Sequence, residues 1–341
     1  MSRRPTILDV AKASGVSVAT VDRVLNERLP VRGGTAARVA AAAEALGYHA
    51  TGLLRQRLNG EAPRRVFGFR LHKRAQEFYR ALGEDRAGAT QANTSVRGRA
   101  LLEFVDELSP GAVTRALRDI GARADAIAVV AVDHPSVSEA VADLKARGVP
   151  CFALLSDISA PASAGYLCVD NRKAGRTAAW MIARTALRAG SVGVLVGSHR
   201  YLGQDLRVMG ARAYFREHAP DFQVLEPLVN LDEPRIAYEG TLDLLKRHVG
   251  LAGILVAGGG MEGVIGALRD EGAGGRICVV CNELTSVTRA ALIDRVVTCV
   301  IATPRRLLAE RAVAAMAAAA GGSEVAGAEF LPFEIHVSEN I

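Results

Sequence analysis

The sequence lacks long hydrophobic runs, a secretory leader and a paired set of cysteines. Its longest apolar run, Ala312–Ala320, is well short of the ~20 residues that span a bilayer. The chain starts Met-Ser-Arg-Arg-Pro and continues without the apolar stretch of a secretory signal. It has five cysteines at scattered positions, an odd number that favours a reducing cytoplasm over a disulfide framework. Together these absences exclude secreted and membrane-spanning classes of protein.

Excess charge is also scarce, and it is confined to one end of the chain. The net charge is +6 over 341 residues. Residues 1–65 contain eleven Lys or Arg and five acids, which accounts for the whole excess, and the rest of the chain is neutral overall. Half of the residues are hydrophobic and 23% are charged, which is typical of a soluble globular protein with two or three domains. A compact basic module followed by a large neutral one suggests a polyanion-binding domain joined to something else.

The basic module has the pattern of three short helices. Thr6 and Asp9 have the spacing of a capping box, which predicts that a helix starts here. Gly15 ends this helix, and Ser17 can cap a second one. A third, alanine-rich helix is predicted over residues 35–46. Two helices joined by a tight glycine turn and braced by a third predict a helix-turn-helix.

The second helix presents a face suited to DNA. Val18, Ala19 and Arg23 point away from the predicted core, and the helix N-terminus directs N–H donors at phosphates. Arg23 can make a bidentate contact to guanine, whereas Val18 and Ala19 offer apolar contacts such as those to thymine methyl groups. A small three-helix domain could instead dock onto a protein. The segregated basic charge favours DNA.

The segment Thr6–Asn26 closely resembles the headpiece of the lactose-repressor (LacI/GalR) family of bacterial regulators. The match continues through Val31, Thr35, Arg38-Val39 and Leu46-Gly47-Tyr48. The resemblance implies a cytoplasmic, nucleoid-associated homodimer that places two recognition helices in successive major grooves of a near-palindromic operator. It also implies that bases are contacted by Val18, Ala19 and Arg23. Phosphates would be contacted by Thr6, Ser17, Thr20 and Asn26.

The sequence departs from the family pattern in the headpiece and the hinge that follows it. Asp22 stands where the family usually has a serine near the phosphates. The family's hinge helix carries a leucine that opens the minor groove, and in strict register that position is Arg57. Leu54 and Leu58 flank it, and the sequence does not decide which leucine inserts, or whether the segment is only a linker. Gly52 should weaken a hinge helix by roughly 1 kcal/mol.

Beyond Arg65, short apolar runs alternate with helical stretches, the pattern of an α/β protein with doubly wound parallel sheets. The predicted strands lie near Val66–Leu71, Ala100–Phe104, Ala126–Val130, Cys151–Leu155, Tyr166–Val169, Ser191–Val196, Val224–Val229, Gly253–Ala257, Ile277–Cys281, Val297–Ala302 and Phe330–Ile335. We therefore divide the chain into a headpiece (1–49), a hinge (50–64) and a two-lobed effector and dimerisation domain (65–341). The first lobe would comprise about 65–160 and 303–328, and the second about 161–302 and 329–341, with Ser156–Gly165 as the predicted crossover.

Polar side chains follow nearly every predicted strand, where ligands bind in such sheets. Donors, acceptors and two aromatic rings that converge on one cleft suit a small, hydroxyl-rich ligand. The candidate effector-binding residues are His72, Gln76, Phe78, Tyr79, Asp133, Asp157, Asp205, Arg207, Asn282, Glu283 and Thr303.

This large module resembles the sugar-binding effector domain of the same family and the related periplasmic sugar-binding proteins. Phe78-Tyr79 falls where ring-stacking aromatics sit in those proteins, and Asn282-Glu283 lies near a family aspartate. Asp205 matches the position of a sugar-binding arginine, with Arg207 two residues later. The resemblance implies a ligand-responsive transcription regulator with no cofactor, metal or catalysis. It would repress a carbohydrate or polyol utilisation operon, with a sugar-like effector between its lobes.

Two other functions remain open on the sequence. Gly258–Gly263 reads G-x-G-x-x-G, and Glu283 follows twenty residues later, as in an NAD-dependent enzyme of doubly wound fold. Against this, the motif comes late in the chain and no strong catalytic constellation accompanies it. The other alternative is a constitutive DNA-binding dimer with no effector. Cys278 and Cys281 read as C-x-x-C, but residues three apart in a strand point to opposite faces, which favours buried thiols over a metal or redox pair.

Overall fold

The computed structural model describes residues 5–26, 31, 33–46, 48, 62–325 and 327–341. The hinge residues Leu54, Arg57 and Leu58 lie outside the described residues. Within these ranges, no helix has both the length and the apolar character needed to cross a membrane.

The N-terminal module consists of three helices, α1 (Ile7–Ser14), α2 (Val18–Asn26) and α3 (Gly33–Ala45). The Thr6 N–H donates to the Asp9 carboxylate at 2.8 Å, as the capping pattern predicts. Gly15 ends α1 with a left-handed φ of 66°, which glycine adopts without steric cost. The buried core of the three helices is formed by Val10, Ala11, Val21, Val24, Ala36, Val39 and Ala43.

The rest of the chain alternates strands and helices, because short apolar runs are separated by amphipathic ones. The strands are β1 (Arg64–His72), β2 (Arg97–Val105), β3 (Ala126–Val129), β4 (Cys151–Leu154), β5 (Gly165–Val169), β6 (Ser191–Val196), β7 (Gln223–Val224), β8 (Leu228–Val229), β9 (Leu251–Val256), β10 (Cys278–Asn282), β11 (Cys299–Ala302), β12 (Ala328–Leu331) and β13 (Glu334–His336). The helices are α4 (Glu77–Ala92), α5 (Pro110–Gly121), α6 (Pro135–Ala146), α7 (Asn171–Thr185), α8 (Leu202–His218), α9 (Pro234–Arg247), α10 (Met261–Asp270), α11 (Ser286–Ile293) and α12 (Arg305–Ala320).

The strands form two sheets, and each sheet is the centre of one lobe. The first has the order β12-β5-β4-β3-β1-β2, with every neighbouring pair parallel. The second has the order β13-β11-β10-β9-β6-β7, with β8 also paired to β6. In it only β13 runs antiparallel to its neighbour, β11. Helices cover both faces of each sheet, so side chains on both faces of the central strands are buried. The predicted fold class is therefore confirmed.

The lobe boundaries predicted from the sequence are wrong at two places. Gly165–Val169 was assigned to the second lobe, but it pairs with β4 in the first sheet, Phe152 lying opposite Gly165. The segment 155–164 therefore returns to the edge it left and is not the crossover. Its Ala164 N–H donates to the Cys151 carbonyl at 2.8 Å. The chain instead passes to the second lobe after β5, at Asp170.

The second error concerns the strand predicted at Phe330–Ile335, which is two strands. Ala328–Leu331 pairs with β5 in the first sheet, and Glu334–His336 pairs with β11 in the second. Pro332 separates them, because proline has no N–H to continue a ladder. Pro227 likewise divides the predicted strand Val224–Val229 into β7 and β8.

Three connections thus join the lobes. They lie between β5 and α7, between β11 and α12, and between β12 and β13. In the second of them, α12 returns to the first lobe and buries Leu308, Ala312 and Met316 in its core. The carboxyl ends of the parallel strands in the two sheets face each other across the cleft that these connections border.

Candidate functional site

The recognition face of α2 is exposed, while Val21 and Val24 anchor the helix from the opposite side. Val18 is 38% exposed, and Ala19 and Arg23 are also exposed. The Arg23 Nε donates to the Ala19 carbonyl at 3.2 Å, so the guanidinium lies along the helix surface. The structure therefore places these three side chains together on one solvent-facing strip.

The predicted phosphate-contacting residues flank this strip. The hydroxyls of Ser17 and Thr20 are hydrogen-bonded to each other at 2.9 Å, and the Ser17 hydroxyl also accepts from the Thr20 N–H. Thr6 is half-buried at the start of α1. Asn26 is the last residue of α2, and its side chain lies outside the described part of the structure.

The second site is a cavity enclosed between the two lobes. Loops after β1, β3 and β4 form one wall, and loops after β6, β8, β9 and β10 form the other. Its volume is about 80 Å³. That is room for on the order of five water molecules, the scale of a monosaccharide. The lining residues are Gln76, Phe78, Tyr79, Val130, Leu155, Ser156, Tyr201, Gly203, Gln204, Arg207, Asp232, Gly258, Gly259, Met261, Asn282 and Glu283.

Hydrogen bonds across the cleft hold the lobes closed over this cavity. The Gly203 N–H donates to the Ser156 hydroxyl at 3.1 Å, and the Gln76 side-chain amide donates to the Asp232 carbonyl at 2.9 Å. The Asp133 N–H donates to the carbonyl of residue 200 at 2.8 Å. At the rim, Lys73 forms an ion pair with Glu233. The structure therefore has the two lobes in a closed arrangement.

Arg207 is the central cation of the cavity wall. Its side chain is only 9% exposed. Its Nε donates to the Asn171 Oδ1 at 2.7 Å, and its Nη1 donates to the Ala257 carbonyl at 3.0 Å. These contacts fix the plane of the guanidinium next to the cavity. The fork can donate further hydrogen bonds to a ligand from its remaining N–H groups.

Asp205, which the family alignment matched to the sugar-binding arginine, does not reach the cavity. It is half-buried, and its carboxylate lies 3.9 Å from the His199 Nδ1. Two residues correspond to about 200° around a helix, so Asp205 and Arg207 lie on opposite sides of α8. The structure therefore does not bring Asp205 to the cavity lining, because helix phase places Arg207 toward the cleft instead.

Glu283 lies between the cavity and the connection from β11 to α12, one of the three that join the lobes. It adopts a left-handed φ of 65° directly after β10. Its two carboxylate oxygens accept from the Thr303 N–H at 2.9 Å and from the Thr303 hydroxyl at 2.8 Å. Burial raises the pKa of Glu283, and the nearby Arg207 opposes that rise. Thr303 itself lies behind Glu283 and does not line the cavity, whereas Asn282 does.

His72 also lies behind the cavity. The Arg70 Nη1 donates to its Nδ1 at 2.9 Å, so the His72 Nε2 carries the proton and donates to the Tyr201 hydroxyl at 3.0 Å. Burial, with further contributions from Arg70 and Lys73, holds the pKa of His72 well below its usual value. The imidazole is therefore neutral, and it connects the first lobe to an aromatic residue of the second.

Two other predicted effector residues, Asp133 and Asp157, form hydrogen bonds within loops of the first lobe. The Asp133 carboxylate accepts from the N–H and the hydroxyl of Ser159, at 2.7 and 2.8 Å. The Asp157 carboxylate accepts from the Ile158 N–H at 2.8 Å. Neither aspartate lines the cavity. Six of the eleven predicted effector residues do line it, namely Gln76, Phe78, Tyr79, Arg207, Asn282 and Glu283.

Sequence reasoning missed Asp232, which is 5% exposed and lines the cavity. Leu231 and Asp232 both adopt left-handed φ values, 55° and 53°, in the tight loop after β8. The Asp232 carboxylate accepts from the Gly259 N–H at 2.7 Å. Asn230-Leu231-Asp232 follows a strand that the sequence did predict, so the rule about strand ends would have found it. Tyr201 and Gln204, which lie between the predicted strand end and Arg207, were also missed.

The contact of Asp232 also decides how the Gly258–Gly263 loop is used. A phosphate-binding glycine loop directs its free N–H groups at an anion. Here the Gly259 N–H already donates to a buried carboxylate, and Asn230 donates to the Gly259 carbonyl at 2.8 Å. A second anion there would meet the charge of Asp232. The acid expected to bind ribose, Glu283, is occupied by Thr303, and the cavity is far smaller than a dinucleotide.

Other chemistry-bearing groups do not form a second centre. In the described ranges, no group of three or more His, Cys, Asp or Glu side chains could hold a metal ion. Cys278 and Cys281 lie in different core clusters on the two faces of the second sheet, as the strand geometry predicts. Burial raises the pKa of both thiols.

Several solved structures share this fold. A solute-binding protein of an ABC transporter from Agrobacterium vitis, with bound alpha-D-tagatopyranose, is 19% identical with a TM-score of 0.75, covering 81% of this chain and 95% of that chain. A periplasmic solute-binding protein from Actinobacillus succinogenes with bound D-allose is 17% identical with a TM-score of 0.74, covering 81% and 99%. GanP, a glucose-galactose binding protein from Geobacillus stearothermophilus, is 16% identical with a TM-score of 0.72, covering 82% and 99%. At these identities the likeness shows the fold alone.

Family profiles identify both parts of the chain. The periplasmic binding protein domain matches residues 113–324, and the lacI family of bacterial regulatory proteins matches residues 6–51. Among curated proteins, none is similar enough to this chain to count as a match. The helix-turn-helix thus precedes a two-lobed ligand-binding domain of the type found in DNA-binding regulators that respond to a ligand. The chain belongs to the lacI family of bacterial regulatory proteins and carries an effector domain of the periplasmic binding protein type.

Proposed function

We propose that the protein is a cytoplasmic repressor of genes for carbohydrate or polyol use, and that a small sugar-like effector binds between its lobes without being chemically changed. The observation that carries this proposal is the enclosed cavity, in which three aromatic side chains and several buried polar groups face each other. Aromatic faces stack on the apolar faces of sugar rings, and amide, guanidinium and carboxylate groups match ring hydroxyls. The bound sugars in related structures support the same ligand class.

The contacts around the cavity suggest how the ligand would control DNA binding. Glu283 and Arg207 touch both the cavity and the residues at lobe connections, Thr303 and Asn171. A ligand that binds these side chains more tightly in one lobe arrangement shifts the population toward it. The lobe arrangement would then set whether the residues 50–64 of two protomers can engage DNA together. Such couplings typically change affinity by about 5- to 150-fold.

We propose further that the protein acts as a homodimer on a near-palindromic operator. Two α2 helices related by a two-fold axis would read half-sites in successive major grooves. In each, Arg23 would contact guanine while Val18 and Ala19 contact thymine methyl groups. The excess positive charge of residues 1–65 supports phosphate binding by the same segment.

The test is operator binding by fluorescence anisotropy, using DNA from upstream of the protein's own gene and a panel of sugars and polyols. We expect tight, salt-sensitive binding that one compound of the panel changes by at least about 5-fold. The variant Arg207→Ala should bind the operator normally and lose this response. Asp205→Ala, on the outer side of the same helix, is the matched control and should keep it.

Each other outcome has a distinct meaning. Specific binding that no compound changes would favour a constitutive DNA-binding dimer with no effector. The absence of specific binding would contradict the operator proposal, and the departures at Asp22 and Arg57 would be the first positions to revert. A response that is kept in Arg207→Ala would move the effector out of the cavity.

A further inference from the structure

The two carboxylates in the cavity wall have different surroundings. Both oxygens of Glu283 are occupied by Thr303, and the Arg207 charge lies nearby. Asp232 is 5% exposed, and the N–H of Gly259 is the backbone donor to its carboxylate. The Gln204 side chain also donates to the Asp232 carboxylate, so both carboxylates are hydrogen-bonded and what distinguishes them is the cation beside Glu283.

No cation of the described protein forms an ion pair with Asp232. Among the residues whose placement is described, no Lys or Arg nitrogen lies within 4.0 Å of its carboxylate. Lys73, which approaches from the opposite lobe, forms its ion pair with the neighbouring Glu233 instead. Desolvating a carboxylate without a paired cation is costly, and burial accordingly raises the pKa of Asp232.

Aromatic rings surround the same position. Phe78, Tyr79 and Tyr201 line the cavity together with Asp232. Burial, with a further contribution from the charge of Asp232, raises the pKa of both tyrosines, so their hydroxyls stay protonated. Aromatic faces attract cations, and the attraction grows when water is excluded. A buried carboxylate among neutral aromatic rings is the environment that binds an ammonium group.

We propose that the effector carries a protonated amine on its hydroxylated ring, and that this ammonium group binds Asp232 between Tyr79 and Tyr201. Its hydroxyls would then lie toward Arg207 and Asn282, which line the same cavity. An ammonium neutralises the buried carboxylate through a charge-assisted hydrogen bond, whereas a neutral hydroxyl leaves the charge uncompensated. This inference rests on the proposed function and specifies its ligand class as amino sugars or amino polyols.

The test uses matched pairs of compounds that differ only at one nitrogen: D-glucosamine and D-glucose, D-galactosamine and D-galactose, and scyllo-inosamine and scyllo-inositol. Binding to the full-length protein is measured by isothermal titration calorimetry at pH 7. We expect at least one amine to bind about tenfold or more tightly than its neutral parent. In Asp232→Asn, which can still accept from Gly259, this preference should fall to about twofold or less. Asp205→Asn removes the same charge outside the cavity and should leave the preference unchanged.

The outcomes separate this inference from the proposed function. A neutral sugar that binds as tightly as its amine would overturn the amine and leave the sugar-like effector intact. An amine preference that persists in Asp232→Asn would also overturn it, since the ammonium would then bind elsewhere. Failure of every compound, amine and neutral, would count against the sugar-like effector and this inference together. The comparison within wild-type protein is decisive even if Asp232→Asn does not fold.

Discussion

Arg23 is the residue with the greatest capacity for base recognition on the exposed strip of α2. Replacing Arg23 with Ala removes a bidentate donor while the helix keeps Val21 and Val24 in its core. We expect operator affinity to fall by about 1–3 kcal/mol and discrimination at the contacted base pair to relax. Anisotropy titrations with the operator and a single-base variant would measure both effects. Unchanged operator affinity and unchanged discrimination in Arg23→Ala would exclude Arg23 from base recognition.

Effector binding should depend on both the charge of Arg207 and the fixed plane of its guanidinium. Arg207→Lys keeps the charge but cannot donate to Asn171 and to the Ala257 carbonyl with the same planar fork. We therefore expect Arg207→Lys to lose most of the effector affinity, close to the loss in Arg207→Ala. Calorimetric titration of the effector identified in the panel would measure it. Near-normal affinity in the lysine variant would show that charge alone is needed at this position.

The low pKa of His72 predicts how the stability of the folded protein depends on pH. Its pKa is held well below 6.5 in the folded protein by burial and by Arg70 and Lys73, so the unfolded chain binds a proton that the folded chain refuses. Stability should therefore fall as pH drops below 6.5, by at most about 1.4 kcal/mol for each pH unit. Urea unfolding of wild type and His72→Gln between pH 8 and 5.5 would measure the difference in slope. Parallel profiles would contradict a low pKa for His72.

At the scale of elements, α7 and α8 approach each other through glycines. A Cβ on Gly175 would lie 1.9 Å from the Arg207 carbonyl, and a Cβ on Gly210 would lie 2.2 Å from the Arg172 carbonyl. Backbone lies on the other side of each contact, so neither helix can yield locally. The close approach fixes the position of α8, and with it Gly203, Gln204 and Arg207 at the cavity.

Gly175→Ala should consequently both destabilise the effector domain and weaken effector binding. We expect a loss of about 1–3 kcal/mol in unfolding free energy, because α8 must move away. Gly266→Ala is the matched control, since its Cβ would meet the Tyr238 ring at an ordinary 3.5 Å within α10. It should be neutral or stabilising by up to about 1 kcal/mol. Chemical unfolding with calorimetry would measure both, and a loss of stability without a loss of affinity would contradict the positioning role of α7.

Sequence patterns predicted the elements better than their arrangement. Apolar runs bounded by turns predicted a strand at each place where the structure has one or two, and Ser191–Val196 was predicted to the residue, because strands buried on both faces are continuously apolar in sequence. The sheet to which a strand belongs has no such local pattern in the sequence, so Gly165–Val169 was placed in the wrong lobe. In the cavity, strand ends predicted six lining residues. Asp232 was overlooked although it follows a predicted strand, and the left-handed conformation of Leu231 and Asp232 was not indicated by the sequence. The inward turn of Arg207 depends on helix phase, which a family alignment at Asp205 did not resolve.

At the scale of the whole molecule, exposed contacts at the cleft rim help to hold the closed state. Glu77, at the start of α4, accepts from the Ser286 N–H at 2.9 Å and from its hydroxyl, so a carboxylate of the first lobe caps a helix of the second. Glu77→Ala removes these bonds without touching the cavity. We expect a larger radius of gyration without effector and an effector affinity lower by up to about tenfold, because closure then costs more. Small-angle scattering with and without effector would test this, and identical profiles for wild type and variant would contradict it.

The order of the strands along the chain also determines which parts could be exchanged between proteins. The N-terminal module precedes the effector domain as one continuous segment, so a different DNA-reading unit could be joined at a single junction. The lobes share three connections, and the last strands β12 and β13 complete one sheet each. A recombinant with one foreign lobe would therefore need three junctions placed in register. In evolution, such a regulator can acquire new operators by simple gene fusion, whereas new effectors must arise by point substitution in the cavity it already has.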